Sequence, residues 1–139
     1  MSGKFFGNVS PQQAWQGLVD QPEAVLIDVR TKAEWAYVGG PDLSGIERPV
    51  FQIEWQHFPS SARNPGFAQE VAANGIRPGT PVYLICRSGV RSLAAADLLA
   101  GLGHTTYNVA EGFEGNLDAS GHRGTGSGWK AAGLPWRQN

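Results

Sequence analysis

The sequence predicts an α/β fold of three layers, with a mainly parallel central sheet and helices on both faces. Two observations carry this. The segments Ala24-Val25-Leu26-Ile27-Asp28-Val29-Arg30 and Pro81-Val82-Tyr83-Leu84-Ile85 are short, largely apolar runs with β-branched residues, the pattern of strands covered on both sides. Stretches with helical apolar spacing and recognisable start signals separate such runs. Strands alternating with helices imply βαβ crossovers, and crossovers imply parallel neighbours. In such sheets ligands bind beyond the carboxyl ends of the strands.

In chain order, Ser10-Pro11-Gln12-Gln13 reads as a helix start. Ser10 can cap, Pro11 suits the first helical position, and Gln13 can reach back to complete a capping box. Ala14, Trp15, Leu18 and Val19 then form one apolar face. After the strand at 24–30, Thr31-Lys32-Ala33-Glu34 forms a second capping box that opens a short helix through Trp35 and Val38. Pro49-Val50-Phe51-Gln52-Ile53 offers a further strand. Asn64-Pro65 caps a helix that carries Phe67 and Val71 and stops at Gly75. The strand at 81–85 runs into a glycine-bearing loop, after which Ala95, Leu98, Leu99 and Leu102 repeat at helical spacing until Gly103. Thr105-Thr106-Tyr107-Asn108-Val109 reads as a further strand.

The composition bounds the function. A chain of 139 residues, 41% hydrophobic and 17% charged, is expected to form one domain over 1–139 with a buried core. Its formal net charge of -1 gives no electrostatic footprint for nucleic acid or for an anionic membrane, so neither is expected as a partner. No apolar run is long enough for a transmembrane helix, and the amino-terminal residues lack the apolar segment of a secretory signal. The single cysteine excludes an internal disulfide and fits a reducing compartment, so the expected location is cytoplasmic. Ten of the 19 glycines gather at 38–45 and 112–133; the second cluster marks a glycine-rich carboxy-terminal arm at about 117–139.

That cysteine stands where the chemistry concentrates. Cys86 ends an apolar strand and is followed by Arg87-Ser88-Gly89-Val90-Arg91-Ser92. A free thiol has a pKa of about 8.5, and only the thiolate attacks. Three features favour the thiolate here: the amino-terminal end of the next helix, a loop glycine able to take positive φ so that amides form a nest, and the fixed charges of Arg87 and Arg91. The same donors would hold an oxyanion such as departing sulfite. The chemistry that follows is attack on an anionic sulfur compound, with sulfur stored on Cys86 as a persulfide.

Cys86-Arg87-Ser88-Gly89-Val90-Arg91 resembles the cysteine-to-arginine active-site loop of single-domain rhodaneses, the thiosulfate sulfurtransferase family. Ile27-Asp28-Val29-Arg30 with Glu34-Trp35 resembles the family's amino-terminal signature, and Glu111-Gly112-Phe113-Glu114-Gly115-Asn116 resembles its glycine-rich turn after the last strand. Gly128-Trp129-Lys130-Ala131-Ala132-Gly133-Leu134-Pro135 resembles a tail of many single-domain members. The similarity extends over about residues 8–136. It implies a rhodanese-like fold in which Cys86 is the sulfur-accepting nucleophile. Arg87, Ser88, Gly89, Val90 and Arg91 would bind the substrate, with at least one arginine pointing outward. Asp28, Arg30 and Ser92 would support the site, Asp28 by capping nearby amides and Arg30 by a salt bridge to Glu34. The implied partners are a small anionic sulfur donor such as thiosulfate, a cyanide or thiol acceptor, and in an alternative role a sulfur-relay protein.

The stretch 45–61, with Phe51, Trp55, His57 and Phe58, departs from the family's usual pattern, as does Val38-Gly39-Gly40-Pro41-Asp42-Leu43 before it. Related phosphatases and arsenate reductases need one more residue between cysteine and arginine; here that next position is Ser92, which disfavours phosphate chemistry. No cofactor or metal is expected, because His57, His104 and His122 are scattered and one cysteine adds little. His122 and Arg123 read as a solvated turn, with a fold-back over the pocket mouth as the alternative, and Trp129 and Trp136 read as anchors pinning the arm.

Overall fold

The structure, a computed structural model, describes residues 5–57, 60, 62–123 and 125–138. The expectations that touch residues 1–4, Phe58, Ser61, Gly124 and Asn139 lie outside the described residues. The first strand, β1 (Phe5–Val9), leads into α1 (Pro11–Asp20), where Ser10 accepts from the Gln13 amide and Gln13 answers at the Ser10 amide. Strand β2 (Val25–Asp28) follows, then α2 (Lys32–Tyr37), capped in the same reciprocal way by Thr31 and Glu34. A two-residue strand β3 (Gly40–Pro41), a 3-10 turn (Ser44–Ile46) and β4 (Val50–Gln52) come next. Helix α3 (Phe67–Ala73) precedes β5 (Pro81–Ile85), α4 (Val90–Gly101) and β6 (Thr105–Val109). The arm contributes α5 (Gly128–Ala131) and β7 (Trp136–Arg137).

The main sheet has the order β1-β6-β5-β2-β4, and every neighbouring pair is parallel. Two cores lie on its two faces, because successive side chains of a strand alternate. Val82, Leu84 and Cys86 join Ile27, Val29, Phe67, Val71, Ala95 and Leu99 on the face of α3 and α4. Tyr83 and Ile85 join Leu26, Ala14, Leu18, Val109, Phe113 and Trp129 on the face of α1 and α5. All of β5 is buried, as its unbroken apolar run predicts. The α/β expectation therefore holds, with helices on both faces.

The differences are at the margins. The β2 run is shorter than 24–30, and Val29 and Arg30 continue beyond the strand. Asn64 does not cap α3 directly. Its Oδ1 accepts from the Gly66 amide at 3.0 Å, and Gly66 takes the N-cap position. The features not foreseen are edge strand β1, the 3-10 turn, the short helix α5, and the separate two-stranded β3–β7 ribbon that ties the arm to the body.

Candidate active site

The end of β5 delivers Cys86 to the carboxyl edge of the sheet, 1% exposed and at the floor of a cavity of about 310 Å³. Gln56, Arg87, Ser88, Val90 and Arg91 form the rest of its lining. The loop turns at Gly89, whose φ of 104° belongs to the left-handed region. A side chain there would run into the Ala110 carbonyl, so glycine is required on steric grounds as well. This turn aims the Gly89 amide at the sulfur, 3.1 Å from Sγ, and makes Gly89 the N-cap of α4. The positive end of a 12-residue helix thus opens beside the sulfur.

The glycine-rich turn after β6 holds the loop from behind. The Phe113 amide donates to the Cys86 carbonyl at 2.7 Å, and the Glu114 and Gly115 amides donate to the Arg87 carbonyl at 2.9 and 3.1 Å. These bonds tie the first two carbonyls of the loop, those of Cys86 and Arg87, to the turn. Gly112 makes the close approach possible: at φ 69° its missing Cβ would stand about 2.5 Å from the Arg87 backbone.

The two arginines have different surroundings. Arg87 is exposed, and its guanidinium has no hydrogen-bonded or ion-paired partner among the described residues. Arg91 turns toward α2, where Nη1 and Nη2 grip the two carboxylate oxygens of Glu34 at 2.8 and 2.9 Å. Burial works to raise the Glu34 pKa. The Arg91 hydrogen bond and charge, with the Thr31 amide, outweigh it and hold the carboxyl below the usual range. Burial likewise works to lower the Arg91 pKa, and the Glu34 hydrogen bonds and charge raise it on balance.

This pairing corrects the expected salt bridge between Arg30 and Glu34. Arg30 is fully buried and binds Asp28 instead, through Nε to Oδ1 at 2.9 Å and Nη2 to Oδ2 at 2.7 Å. Its Nη2 also donates to the Gly39 carbonyl at 2.6 Å, and its guanidinium lies 4.5 Å from the centre of the Phe113 ring. The physical reason is orientation: Arg30 precedes α2 and points into the core, so the helical spacing of positions 30 and 34 does not apply. Asp28 also accepts from the Arg30 amide at 3.1 Å, a capping contact of the kind expected of it. The pair braces the Phe113 turn and lines neither cavity beside Cys86.

Ser92 is fully buried, with Oγ 3.2 Å from Cys86 Sγ and 2.5 Å from Asn108 Oδ1. A second cavity, about 560 Å³, shares Gln56, Arg87 and Arg91 with the first and extends to Thr31, Ala33, Val38, His57, Glu114 and Arg123. Arg123 therefore stands at the site, as in the fold-back alternative, and His122 is exposed outside it, as expected of a solvated turn. Sequence reasoning missed Gln56, Glu34 as partner of Arg91, and Asn108. Gln56 was within the stretch marked as divergent, but nothing in its type or spacing singled it out. A third cavity, about 250 Å³ and lined by Arg48 and Arg137 among others, contains neither the cysteine nor its loop. Among the described residues no group of His, Cys, Asp and Glu could hold a metal ion, and no helix is long and apolar enough to cross a membrane.

Comparison with known proteins gives a consistent result. The family model described as a rhodanese-like domain matches residues 10–119. An uncharacterized Rickettsia conorii protein, RC0915, is 32% identical over 132 residues, covering 94% of this chain and 96% of its own length. The crystal structure of Rv0390 from M. tuberculosis superposes with a TM-score of 0.89 at 48% identity, over 98% of this chain and 100% of that one. The polysulfide-sulfur transferase homodimer of Wolinella succinogenes, solved in solution, shares the fold with a TM-score of 0.66 at 23% identity, over 97% of this chain and 80% of that one.

Proposed function

Because this chain belongs to the rhodanese-like domain family, we propose that it moves sulfane sulfur from thiosulfate, or a related anionic donor, to cyanide or a thiol through a persulfide on Cys86. The observation that carries the proposal is the setting of the sulfur. Cys86 lies at a sheet's carboxyl edge with the Gly89 amide 3.1 Å from Sγ, and the Arg87 guanidinium, without a partner among the described residues, is on the wall of the same cavity. In the first half-reaction the Cys86 thiolate attacks the outer sulfur of thiosulfate. The S–S bond breaks, sulfite leaves with the electron pair, and the loop donors and Arg87 stabilise its charge. In the second, the acceptor attacks the outer sulfur of the persulfide and Cys86 leaves as a thiolate. Ser88, Val90 and Arg91 complete the walls, and Asp28, Arg30 and Ser92 hold the frame. A lone thiol of this kind suits a reducing compartment, the cytoplasm in this reading.

The second reading is a persulfide carrier that receives sulfur from one protein and passes it to another. The open cavity of about 560 Å³ beside the site favours it, being larger than thiosulfate or cyanide needs. Phosphatase or arsenate reductase activity is disfavoured by the short span from Cys86 to Arg91.

Intact mass measurement after incubation with thiosulfate tests the chemistry. The wild-type chain is expected to gain one sulfur atom and Cys86→Ser none; no gain by the wild type would count against thiosulfate as donor. Saturable turnover with thiosulfate and cyanide supports the enzyme, whereas negligible turnover with rapid protein-to-protein transfer supports the carrier.

A further inference from the structure

Behind the sulfur, a line of uncharged polar groups runs from Cys86 through Ser92 and Asn108 to Asn8 on β1. Ser92 Oγ lies 3.2 Å from Cys86 Sγ and 2.5 Å from Asn108 Oδ1, but a hydroxyl has one hydrogen and can serve only one of them. The amide of Asn108 cannot turn to relieve this. Its Nδ2 is 3.1 Å from the Gly89 carbonyl and 2.9 Å from Asn8 Oδ1, so both of its hydrogens are engaged and its oxygen must face Ser92.

We infer that Asn108 is a positioning residue for the sulfur chemistry of Cys86, acting through the Ser92 hydroxyl, for whose one proton it competes with the sulfur. The inference rests on the sulfur-transfer reading for its meaning. With the thiol protonated, S–H donates to Ser92 and Ser92 donates to Asn108, and every group is satisfied. When the thiol proton leaves to solvent, Ser92 rotates its hydrogen to the sulfur. Asn108 Oδ1, on a residue 2% exposed, then loses its donor. In the persulfide the negative charge sits on the outer sulfur, and Ser92 can return to Asn108. Asn108 thus weighs against the bare thiolate and in favour of both the thiol and the loaded persulfide, which slows discharge of stored sulfur.

Among the described residues, the charged groups that face the cavity at this sulfur are Arg87 of the loop and Arg91 of α4 with Glu34 of α2 behind it, while the Asp28–Arg30 pair at the end of β2 lies outside both cavities. From β6 and β1 the line presents only the uncharged Asn108 and Asn8.

The test measures alkylation of Cys86 by iodoacetamide across pH, with thermal unfolding as the check on folding. Asn108→Ala is expected to react about fivefold faster at neutral pH, with the profile moved to lower pH, the scale of one competing hydrogen bond. In a Ser92→Ala background the same substitution should have no effect, because its route to the sulfur is gone. A purely structural role, through the Gly89 carbonyl, would change the rate equally in both backgrounds. Slower or unchanged alkylation in Asn108→Ala, or equal acceleration in both backgrounds, overturns the inference. If Asn108→Ala does not fold, Asn108→Leu, which fills similar volume without the amide, is read in its place. Alkylation needs no sulfur donor, so a chain that fails to load from thiosulfate still reports on the role of Asn108.

Discussion

Arg87 and Arg91 carry the same charge on the same loop, and their surroundings give them different work. Arg91 spends its guanidinium on Glu34, whereas Arg87 holds its own at the cavity wall without a partner among the described residues. Arg87→Ala is therefore expected to lower kcat/KM for thiosulfate about 10- to 100-fold, the scale of a lost charge-assisted contact, and to change stability by less than about 0.5 kcal/mol, as at an exposed position. Arg91→Ala differs in that it should lose stability as well as activity. Paired melting curves and steady-state kinetics distinguish the two. At this scale Cys86 and its loop were legible, since a strand running into a charged glycine turn is a local pattern. The partners were not. Glu34 finds Arg91 and Asn108 finds Asn8 across long stretches of chain, and only the fold brings them together.

Among the elements, β5 shows how a strand was readable from its side chains alone. Its buried residues divide between the two cores, and its carboxyl end then has one place to deliver the next residue. The short strands β3 and β7 escaped notice because two residues carry no periodicity, and β1 because an edge strand with Gly7 and Asn8 has no continuous apolar run. Helix α2 was recognised by its capping box, yet the capping carboxylate has a second duty. Glu34 both accepts from the Thr31 amide at 3.1 Å and binds Arg91, so it joins the start of α2 to helix α4, which begins beside Cys86. Its pKa is held below the unfolded value, so its contribution to stability is complete above the ordinary carboxylate range and is lost as pH falls through the lowered folded value. Glu34→Gln is expected to cost about 1–3 kcal/mol at neutral pH, since it leaves Arg91 half-buried and unpaired, and to flatten stability against pH in the acid range. Urea unfolding of both proteins at neutral and acid pH measures it; an equal loss at both would exclude the carboxylate as the cause.

Across the whole molecule the carboxy-terminal arm closes the face that α1 leaves open. Trp129 is fully buried, packs edge-on against Trp15 at 6.1 Å and donates from Nε1 to the Pro135 carbonyl at 2.7 Å. Trp136 leans on Phe113 at 5.9 Å, and β7 pairs with β3. Trp129→Ala is expected to cost about 3–5 kcal/mol, the range for a large aromatic removed from a core, and to weaken sulfur loading because Phe113 and the turn that clamps the cysteine loop lean on the same side. A thermal melt combined with the mass assay reads both effects; an unchanged melting temperature would mean that the arm is dispensable. The tryptophans marked the arm as packed, but its route was hidden, because glycine-rich sequence restrains the chain too little to show where it goes.

Cys86 is the chain's one cysteine, and it is buried. A vessel with one slot has no neighbour to empty it. No second thiol of the same chain can resolve a persulfide, or a sulfenic acid left by peroxide, so either adduct must wait for a nucleophile from outside. In the proposed reaction, loading and delivery, like repair, would pass through the cavity walled by Gln56 and Arg87, so an occupant of that cavity would slow all three.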